Sequence, residues 1–284
     1  MLKPLTLVLC FLLFSSISFA ETNMQTVTYR MAADDDVWQL SSSPFGCRLS
    51  VVVAGGGLLQ LELLPGQHSN LSLTSSWLNQ ARTVQASVGY PSWGEGFPAK
   101  VQSQQMQWQT GKASLSGEQL GVFIKGLELG WRWTFELGQS DEFLLEVDTL
   151  SARSQLQPLR QCRQQLLPQD YDYVHDLSIF YPSGIAGMDS SMQADIQAVA
   201  RYVAVDRNIK KILIDGHADD GSSRLVDLVL SKDRVENVVA ALVELGVKRQ
   251  MIEARHHGNR QPYSKEQSEV NRRVRIRLVK AVRG

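Results

Sequence analysis

The chain of 284 residues carries 29 Lys and Arg against 29 Asp and Glu, so its formal net charge is zero. This balance gives no indication of a broad basic surface of the kind that binds nucleic acid through its phosphates. The length exceeds that of one average domain, and all six Trp residues lie in the first half of the chain. These features predict two regions of different composition.

The first twenty residues have the pattern of a secretory signal peptide. Lys3 precedes an apolar run over residues 5–14, and Ser18-Phe19-Ala20 has the small-x-small ending that suits signal peptidase. The run is short for a bilayer span, and no later stretch approaches the roughly 20 apolar residues of a transmembrane helix. Cys10 follows Leu-Val-Leu instead of small residues, which disfavours a lipoprotein. We therefore expect residues 1–20 to be removed and the mature protein to be soluble and periplasmic.

Loss of Cys10 with the signal peptide leaves two cysteines, Cys47 and Cys162. An even pair in an oxidising compartment predicts one disulfide bond. The alternative is a pair of buried free thiols. A catalytic thiol is disfavoured, because neither cysteine lies beside a His or in a thioredoxin-like motif.

Residues 21–168 are predicted to form a mostly antiparallel β domain. Short alternating segments at 58–63, 101–103, 122–124 and 131–135 are separated by Gly and Pro, as strands joined by turns should be. Trp131, Trp133 and Phe135 share one face of their segment, which favours a core over an aromatic ligand platform. A helix-compatible, Gln-rich stretch after Ser151 then brings Cys162 back towards Cys47.

Residues 172–284 are predicted to form a β-α-β-α-β-β sandwich, which makes the chain an α+β protein of two domains. Strands are expected at 177–181, 212–214, 251–256 and 274–278. Asp189 is expected to cap the first helix and Ser231 the second, which Gly246 ends. The helices should cover one face of the sheet, while the alternating Arg residues of the last strand face water.

Four motifs in this second region occur in a fixed order and are more specific together than any one alone. They are Ile214-Asp215-Gly216-His217-Ala218-Asp219, then Leu230-Ser231 with Arg234-Val235, then Gly246-Val247, and finally Asn271-Arg272-Arg273-Val274. Together they resemble the signature of the OmpA-like peptidoglycan-binding domain. The resemblance covers roughly residues 172–282.

The resemblance implies a ligand and two principal site residues. In that family an Asp and an Arg fifteen positions later clasp diaminopimelate of the peptide stem, and Asp219 and Arg234 have that separation. The amino acid presents an ammonium and a carboxylate, which an Asp and the planar fork of an Arg can bind. A place for Arg234 at a helix start would add N–H donors. Leu230 is expected to orient the loop, and Arg272 or Arg273 to add a second cation.

The chain also departs from the family pattern. Asp227 stands where the family usually has Asn, and the loop glycine comes one place early, at Gly221. The family's first strand often carries acidic residues that help to hold the ligand, and the corresponding stretch here, residues 179–183, has none. These changes leave Asp219 and Arg234 in place and put the rest of the pocket in question. Asp220 and Asp227 have no explanation from the sequence.

The organisation of the whole chain resembles the MotY-like T-ring proteins of the sodium-driven polar flagellar motor. Those proteins join an exported β-rich domain, which associates with the basal body ring and a second T-ring protein, to a peptidoglycan-binding domain. The resemblance rests on Pro44-Phe45 with Cys47-Arg48-Leu49, and on Gln161-Cys162 with the segment 164–168. It implies a tether between basal body and cell wall that supports the assembly of stator proteins.

Other interpretations of the same residues remain. A metal could be bound by His217, Asp219 and Asp220 with His256 or His257, but no ligand spacing supports it. An enzyme acting on the wall is disfavoured, because no nucleophile elbow or catalytic carboxylate pair is evident. We predict no catalytic residue, no metal and no cofactor. The alternative function is a general OmpA-like envelope protein that links an unknown partner to peptidoglycan.

Overall fold

The computed structural model describes residues 27–30, 38–53, 56–76, 83–91, 102–109, 111–138, 143–219 and 223–281. The predicted signal peptide at 1–20 lies outside these residues. In the described part of the chain, no helix is both long and apolar enough to cross a membrane.

The first region contains two β-sheets, as its alternating pattern predicts. The six-stranded sheet has the order β2-β3-β4-β5-β9-β8, and the five-stranded sheet the order β1-β11-β10-β6-β7. All neighbouring strands are antiparallel except β1 and β11. The strands are β1 Val27–Arg30, β2 Gln39–Ser43, β3 Gly46–Val53, β4 Gly57–Leu63, β5 Asn70–Thr74, β6 Thr83–Gly89, β7 Gln102–Gln105, β8 Gln107–Gln109, β9 Lys112–Ser116, β10 Arg132–Gly138 and β11 Phe143–Asp148.

Side chains from both sheets form one apolar core. Trp133 and Phe135 of β10 are fully buried in it, and the ring of Trp38 meets Trp133 edge to face with centroids 5.9 Å apart. Such packing accounts for these aromatic residues without a ligand. Residues 122–124, predicted as a strand, instead belong to helix α1, Gly121–Leu129. A run of three apolar residues fits either structure, and here Phe123 and Leu127 bury one helical face.

A disulfide bond joins Cys47 of β3 to Cys162 of helix α2, Arg153–Gln165. This is the pair expected from the cysteine count. The bond spans 115 residues and has a Cα–Cα distance of 6.0 Å. It clasps the end of the first region to its beginning.

The second region has its own core and the predicted order of elements. The sheet has the order β12-β15-β13-β14, in which β13 and β14 are parallel and the other pairs antiparallel. The helices of this region bury their apolar stripes against the sheet. The elements are α3 Tyr171–Val174, β12 Asp176–Phe180, α4 Ser190–Val205, β13 Ile209–Gly216, α5 Arg224–Glu244, β14 Ile252–His256 and β15 Arg273–Lys280.

Helix α4 begins as predicted, because the side chain of Asp189 accepts the N–H of Met192 at 2.9 Å. Strand β15 alternates as predicted: Val274 and Ile276 are buried, while Arg275 and Arg277 lie on the other face. These two Arg residues are paired there with carboxylates, Arg275 with Asp176 and Arg277 with Asp215.

Candidate functional site

The polar residues of the second region converge on one edge of its sheet. Strands β12, β13 and β14 end at this edge, and β15 begins there, because β15 is antiparallel to β12 and β13. Three connecting segments therefore meet, at 181–189, 217–219 and 257–272. Helix α5 follows the second of them and packs against β13 and β14.

Arg234 is the most deeply buried charge of this edge, with no exposed surface. Its Nε donates to the carbonyl of Ile185 at 2.8 Å, Nη2 to that of Pro182 at 3.1 Å and Nη1 to that of His217 at 3.3 Å. Bonds to each nitrogen hold the plane of the guanidinium in one orientation. The side chain thus ties the segment after β12 to the loop after β13.

The ring of Tyr181 packs against the guanidinium of Arg234, and Tyr181 was not predicted from the sequence as a site residue. The guanidinium carbon lies 4.9 Å from the centre of the buried Tyr181 ring, a cation–π contact. Burial raises the pKa of the Tyr181 hydroxyl to about 12, so the ring stays neutral beside the cation. The hydroxyl has no hydrogen-bond partner among the described residues. The only feature of the sequence that could have indicated Tyr181 is an aromatic residue at the end of an apolar strand.

Helix α5 begins earlier than predicted. Its N-cap is Ser223, whose hydroxyl accepts from Val226, and Ser231 lies inside the helix. Arg234 is consequently near the middle of α5, and the predicted contribution of a helix N-terminus to its site is wrong. Ser231 is fully buried; it accepts the N–H of Gly258 at 3.0 Å and donates to Leu228. It therefore joins the helix to the turn after β14.

Gly216 lets helix α5 lie this close to the end of β13. A Cβ at this position would come within 2.3 Å of Val235 Cγ2 and 2.7 Å of the Ser231 carbonyl oxygen. Any larger residue would push the helix and its Arg234 away from the loop. The Gly of the Ile214–Asp219 motif is thus required by packing.

Asp219 lies in the loop after β13 and is half-buried. Its Oδ2 accepts a hydrogen bond of 2.8 Å from Nδ2 of Asn271, which is 2% exposed. The same loop accepts from Arg234 through the carbonyl of His217. The structure thus places the two expected ligand-binding residues on one loop and the helix beneath it. Asn271, which belongs to the last motif, was not predicted as a site residue.

The two further Arg residues take different positions. Arg272 is half-buried and donates to the carbonyl of Tyr181 at 3.3 Å and to Ser268 Oγ at 3.0 Å. Arg273 is 8% exposed, donates to the carbonyl of Val270 and lies 5.3 Å from the ring centre of Tyr263. Burial lowers the pKa of Arg273. Both side chains therefore stabilise the segments around the site in this structure.

Leu230 is half-buried and lines a groove of about 380 Å³ beside the segment after β12. The apolar residues that share this wall are strongly exposed, with Leu225 at 70% and Val226 at 51%. The first half of α5 thus has an inverted pattern, in which polar residues are buried and apolar residues face water.

His217 is buried in the same loop and stacks on His257, with ring centres 4.9 Å apart. Burial, the nearby Arg273 and His257 lower the pKa of His217 to about 4. Its Nδ1 has no hydrogen-bond partner in the described part of the chain. We conclude that the ring is neutral near pH 7 and contributes packing.

His257 contacts Asp215. Its Nε2 lies 2.9 Å from Asp215 Oδ1, and Arg277 donates to Oδ2 at 2.8 Å. Burial alone would raise the pKa of Asp215, but these hydrogen bonds and charges outweigh it and lower the pKa. Within the residues that the structure describes, no three His, Cys, Asp or Glu side chains are placed to hold a metal ion.

Asp227, unexplained in the sequence, is buried and accepts a hydrogen bond of 2.9 Å from Asn259. This bond ties helix α5 to the turn after β14, next to the bond between Ser231 and Gly258. Asp227 therefore has a structural role. Asp220 and Gly221 lie outside the described residues.

Solved structures of several bacterial proteins are similar to somewhat more than a third of the chain. The peptidoglycan-associated lipoprotein from Burkholderia pseudomallei is 26% identical, over 36% of this chain and 89% of its own, with a TM-score of 0.34. The OmpA-like domain of FopA1 from Francisella tularensis subsp. tularensis SCHU S4 is 19% identical, over 38% of this chain and 75% of its own, with a TM-score of 0.33. The C-terminal domain of Helicobacter pylori MotB is 20% identical, over 36% of this chain and 82% of its own, with a TM-score of 0.32. No curated protein matches the chain.

Sequence profiles of known families match both regions. Residues 180–276 match the OmpA family, which makes the second region an OmpA-like domain. Residues 29–168 match the MotY N-terminal domain. The chain belongs to the MotY-like proteins and carries a C-terminal OmpA-like domain. The resemblance inferred from the motifs is thereby confirmed.

Proposed function

We propose that this protein is a periplasmic component of the flagellar motor that ties the basal body to peptidoglycan. The observation that carries the proposal is the presence, in one chain, of a MotY N-terminal domain and an OmpA-family domain. A stator that exerts torque needs a fixed point, and a soluble protein supplies one by holding two structures at once. Both families are structural and motor components, not enzymes.

The first region is the part that associates with the basal body in this proposal. It contacts the ring around the rod and a second T-ring protein, and so supports the assembly of stator proteins. Many copies arranged in a ring would add avidity to a modest affinity at each wall site. In this proposal the two domains span residues 21–168 and 172–284.

The second region binds the wall through Asp219 and Arg234. The ammonium of diaminopimelate pairs with the half-buried carboxylate of Asp219, which has no partner for Oδ1 among the described residues. The carboxylate of the ligand pairs with Arg234. Charge-assisted bonds between Arg and a carboxylate are stronger than those to neutral carbonyls, which favours exchange of one for the other.

Access to Arg234 requires movement of the segment after β12. The guanidinium has no exposed surface, and carbonyls of Pro182 and Ile185 are among its acceptors. A ligand carboxylate must therefore replace at least one of these carbonyls. Leu230 lines the groove beside the same segment, and Arg272 holds the carbonyl of Tyr181. Both thereby set how far the segment can open.

Wall binding is tested by co-sedimentation of the purified protein with sacculi that contain diaminopimelate. We expect Asp219→Asn, which removes the charge with little change of shape, to weaken binding roughly tenfold or more. Sacculi with lysine in place of diaminopimelate should also bind weakly, because lysine lacks the second carboxylate. The matched control is Asp172→Asn, an exposed residue in α3, at the opposite end of β12. Equal binding by Asp219→Asn and the unmodified protein would exclude this site.

The motor role is tested in cells with a sodium-driven polar flagellum. Deletion of the protein should leave flagella assembled while motility is lost or strongly reduced, and a fluorescent copy should form foci at flagellar bases. Normal swimming would contradict the proposal. A uniform envelope signal would favour the general tether between peptidoglycan and another partner, and release of soluble muropeptides would indicate an enzyme.

A further inference from the structure

The side chain of Asn271 makes four hydrogen bonds in the buried end of the loop before β15. Its Oδ1 accepts the N–H groups of Tyr263 at 2.6 Å and Ser264 at 3.0 Å. Its Nδ2 donates to the carbonyl of Ser264 at 2.6 Å and to Asp219 Oδ2 at 2.8 Å. An amide has two donors and an oxygen with two acceptor positions, so the capacity of Asn271 is fully used.

This arrangement holds one oxygen of Asp219 at a fixed point. Asn271 is 2% exposed and cannot change rotamer without breaking its bonds to the loop backbone. Asp219 is half-buried in the loop after β13, where its side chain has no other hydrogen-bond partner among the described residues. The amide therefore leaves Asp219 Oδ1 as the oxygen presented to a ligand.

We infer that Asn271 is a positioning residue, which orients the carboxylate of Asp219 towards the ammonium of the wall peptide. The inference rests on the proposed function and adds to it the group that orients the anionic half of the site. Asn271 does not touch the ligand in this account. It acts by restricting Asp219, which lowers the entropy that Asp219 loses when the ligand binds.

The sharpest test is Asn271→Asp, which preserves shape. The oxygen that accepts from Tyr263 and Ser264 remains, but an oxygen replaces the nitrogen that faces Asp219 and the Ser264 carbonyl. Repulsion between the two carboxylates should turn Asp219 away and weaken sacculus binding roughly tenfold at about pH 7.5. Near pH 5 the introduced carboxyl group takes up a proton, and binding relative to the unmodified protein should recover in part.

The control is Asn208→Asp, which makes the same chemical change elsewhere in the domain. Asn208 Nδ2 donates to Asp206 Oδ1 at 3.0 Å, just before β13 begins. Asp219 follows the far end of the same strand. This variant should bind sacculi like the unmodified protein at both pH values. Thermal unfolding followed by circular dichroism shows whether each variant is folded at the temperature of the assay.

Asn271→Ser provides a second test in case Asn271→Asp does not fold. The shorter hydroxyl cannot reach Asp219 and introduces no repulsion, so binding should fall roughly fivefold without a change between pH 7.5 and pH 5. Asn208→Ser is its matched control and should bind normally. Binding by Asn271→Ser equal to that of the unmodified protein would overturn the inference.

Two results separate the inference from the function on which it rests. If Asp219→Asn fails to bind while the folded Asn271 variants bind normally, the wall site stands and Asn271 has no positioning role. If Asp219→Asn binds as well as the unmodified protein, the proposed wall site itself is wrong. Loss of binding in Asp219→Asn and Asn271→Asp, with recovery of the latter at low pH, supports both.

Discussion

The two regions bury different kinds of polar group. In the described part of the first region, the buried polar side chains are all hydroxyls: Ser72, Ser75, Ser87, Thr134 and Thr149. In the second region, most of them are ionisable or amide groups: Asp206, Asp215, His217, Asp227, Ser231, Arg234, Asn271 and Arg273. Buried charges cost free energy unless they are paired, so such a concentration calls for a reason.

Under the proposed function, the first region attaches through its shape and the second through charged and amide groups. The first region is held by an apolar core and a disulfide bond, and the polar side chains buried in its described part are hydroxyls. The second region gathers most of its buried polar groups where three strands end and the last begins. A low local dielectric there would strengthen the interactions with the charged wall peptide that the proposed function requires. The regions should therefore respond differently to the same perturbation.

Loss of the disulfide bond should have the largest effect, and it should be confined to the first region. The double substitution Cys47→Ala and Cys162→Ala removes a link between residues 115 apart, which is expected to lower the free energy of unfolding by about 4 kcal/mol. All Trp residues lie in the first region, so their fluorescence in a urea titration reports on it alone. An equal shift of the far-ultraviolet circular dichroism transition of the second region would contradict the comparison.

Arg234→Ala should show the opposite pattern. It leaves three carbonyls without their donor and opens a cavity beside the Tyr181 ring, which should destabilise the second region by about 3 kcal/mol. The circular dichroism transition should move to lower urea while the Trp transition stays in place. Arg234→Lys keeps the charge but not the planar fork, and a smaller shift is expected for it. No shift for Arg234→Ala would show that the buried cation is not structural.

Acid should also weaken the second region, through His217. The pKa of this residue is about 4 in the folded protein and about 6.5 when unfolded, so the unfolded state binds more protons between these values. Stability therefore falls as the pH falls through this window, by about 2 kcal/mol at pH 5. Urea titrations of the unmodified protein and of His217→Asn at pH 7.5 and 5 measure this loss. The substitution should reduce the loss of stability between pH 7.5 and pH 5. An unchanged loss would show that another group causes it.

The sequence predicted the elements of the second region well where side chains alternate by polarity. Strand β15 and the cap of α4 at Asp189 follow directly from local pattern. The start of α5 does not, because its first turns bury Asp227 and Ser231 and expose Leu225 and Val226. A search for an apolar stripe finds the helix only from Val235 onward. The inverted pattern has a tertiary cause, since the buried polar groups bond to the turn after β14.

The candidate site was only partly accessible from sequence for a similar reason. The motifs identify Asp219 and Arg234, but the bond from Asn271 to Asp219 joins residues 52 positions apart. No local pattern encodes such a pair. The carbonyls that hold Arg234 belong to backbone 49 and 52 positions away, and any residue type could supply them. Only the fold shows that the cation is enclosed.

The bond between Cys47 and Cys162 has a mechanical consequence for the proposed tether. Leu167, five residues after Cys162, is buried in the core of the second region, and its N–H donates to the carbonyl of Pro44 beside β3. Tension arriving along the backbone from the second region therefore passes through sulfur to β3. Most of the first region lies in the covalent loop between the two cysteines and cannot be unravelled by a pull on the ends of the chain.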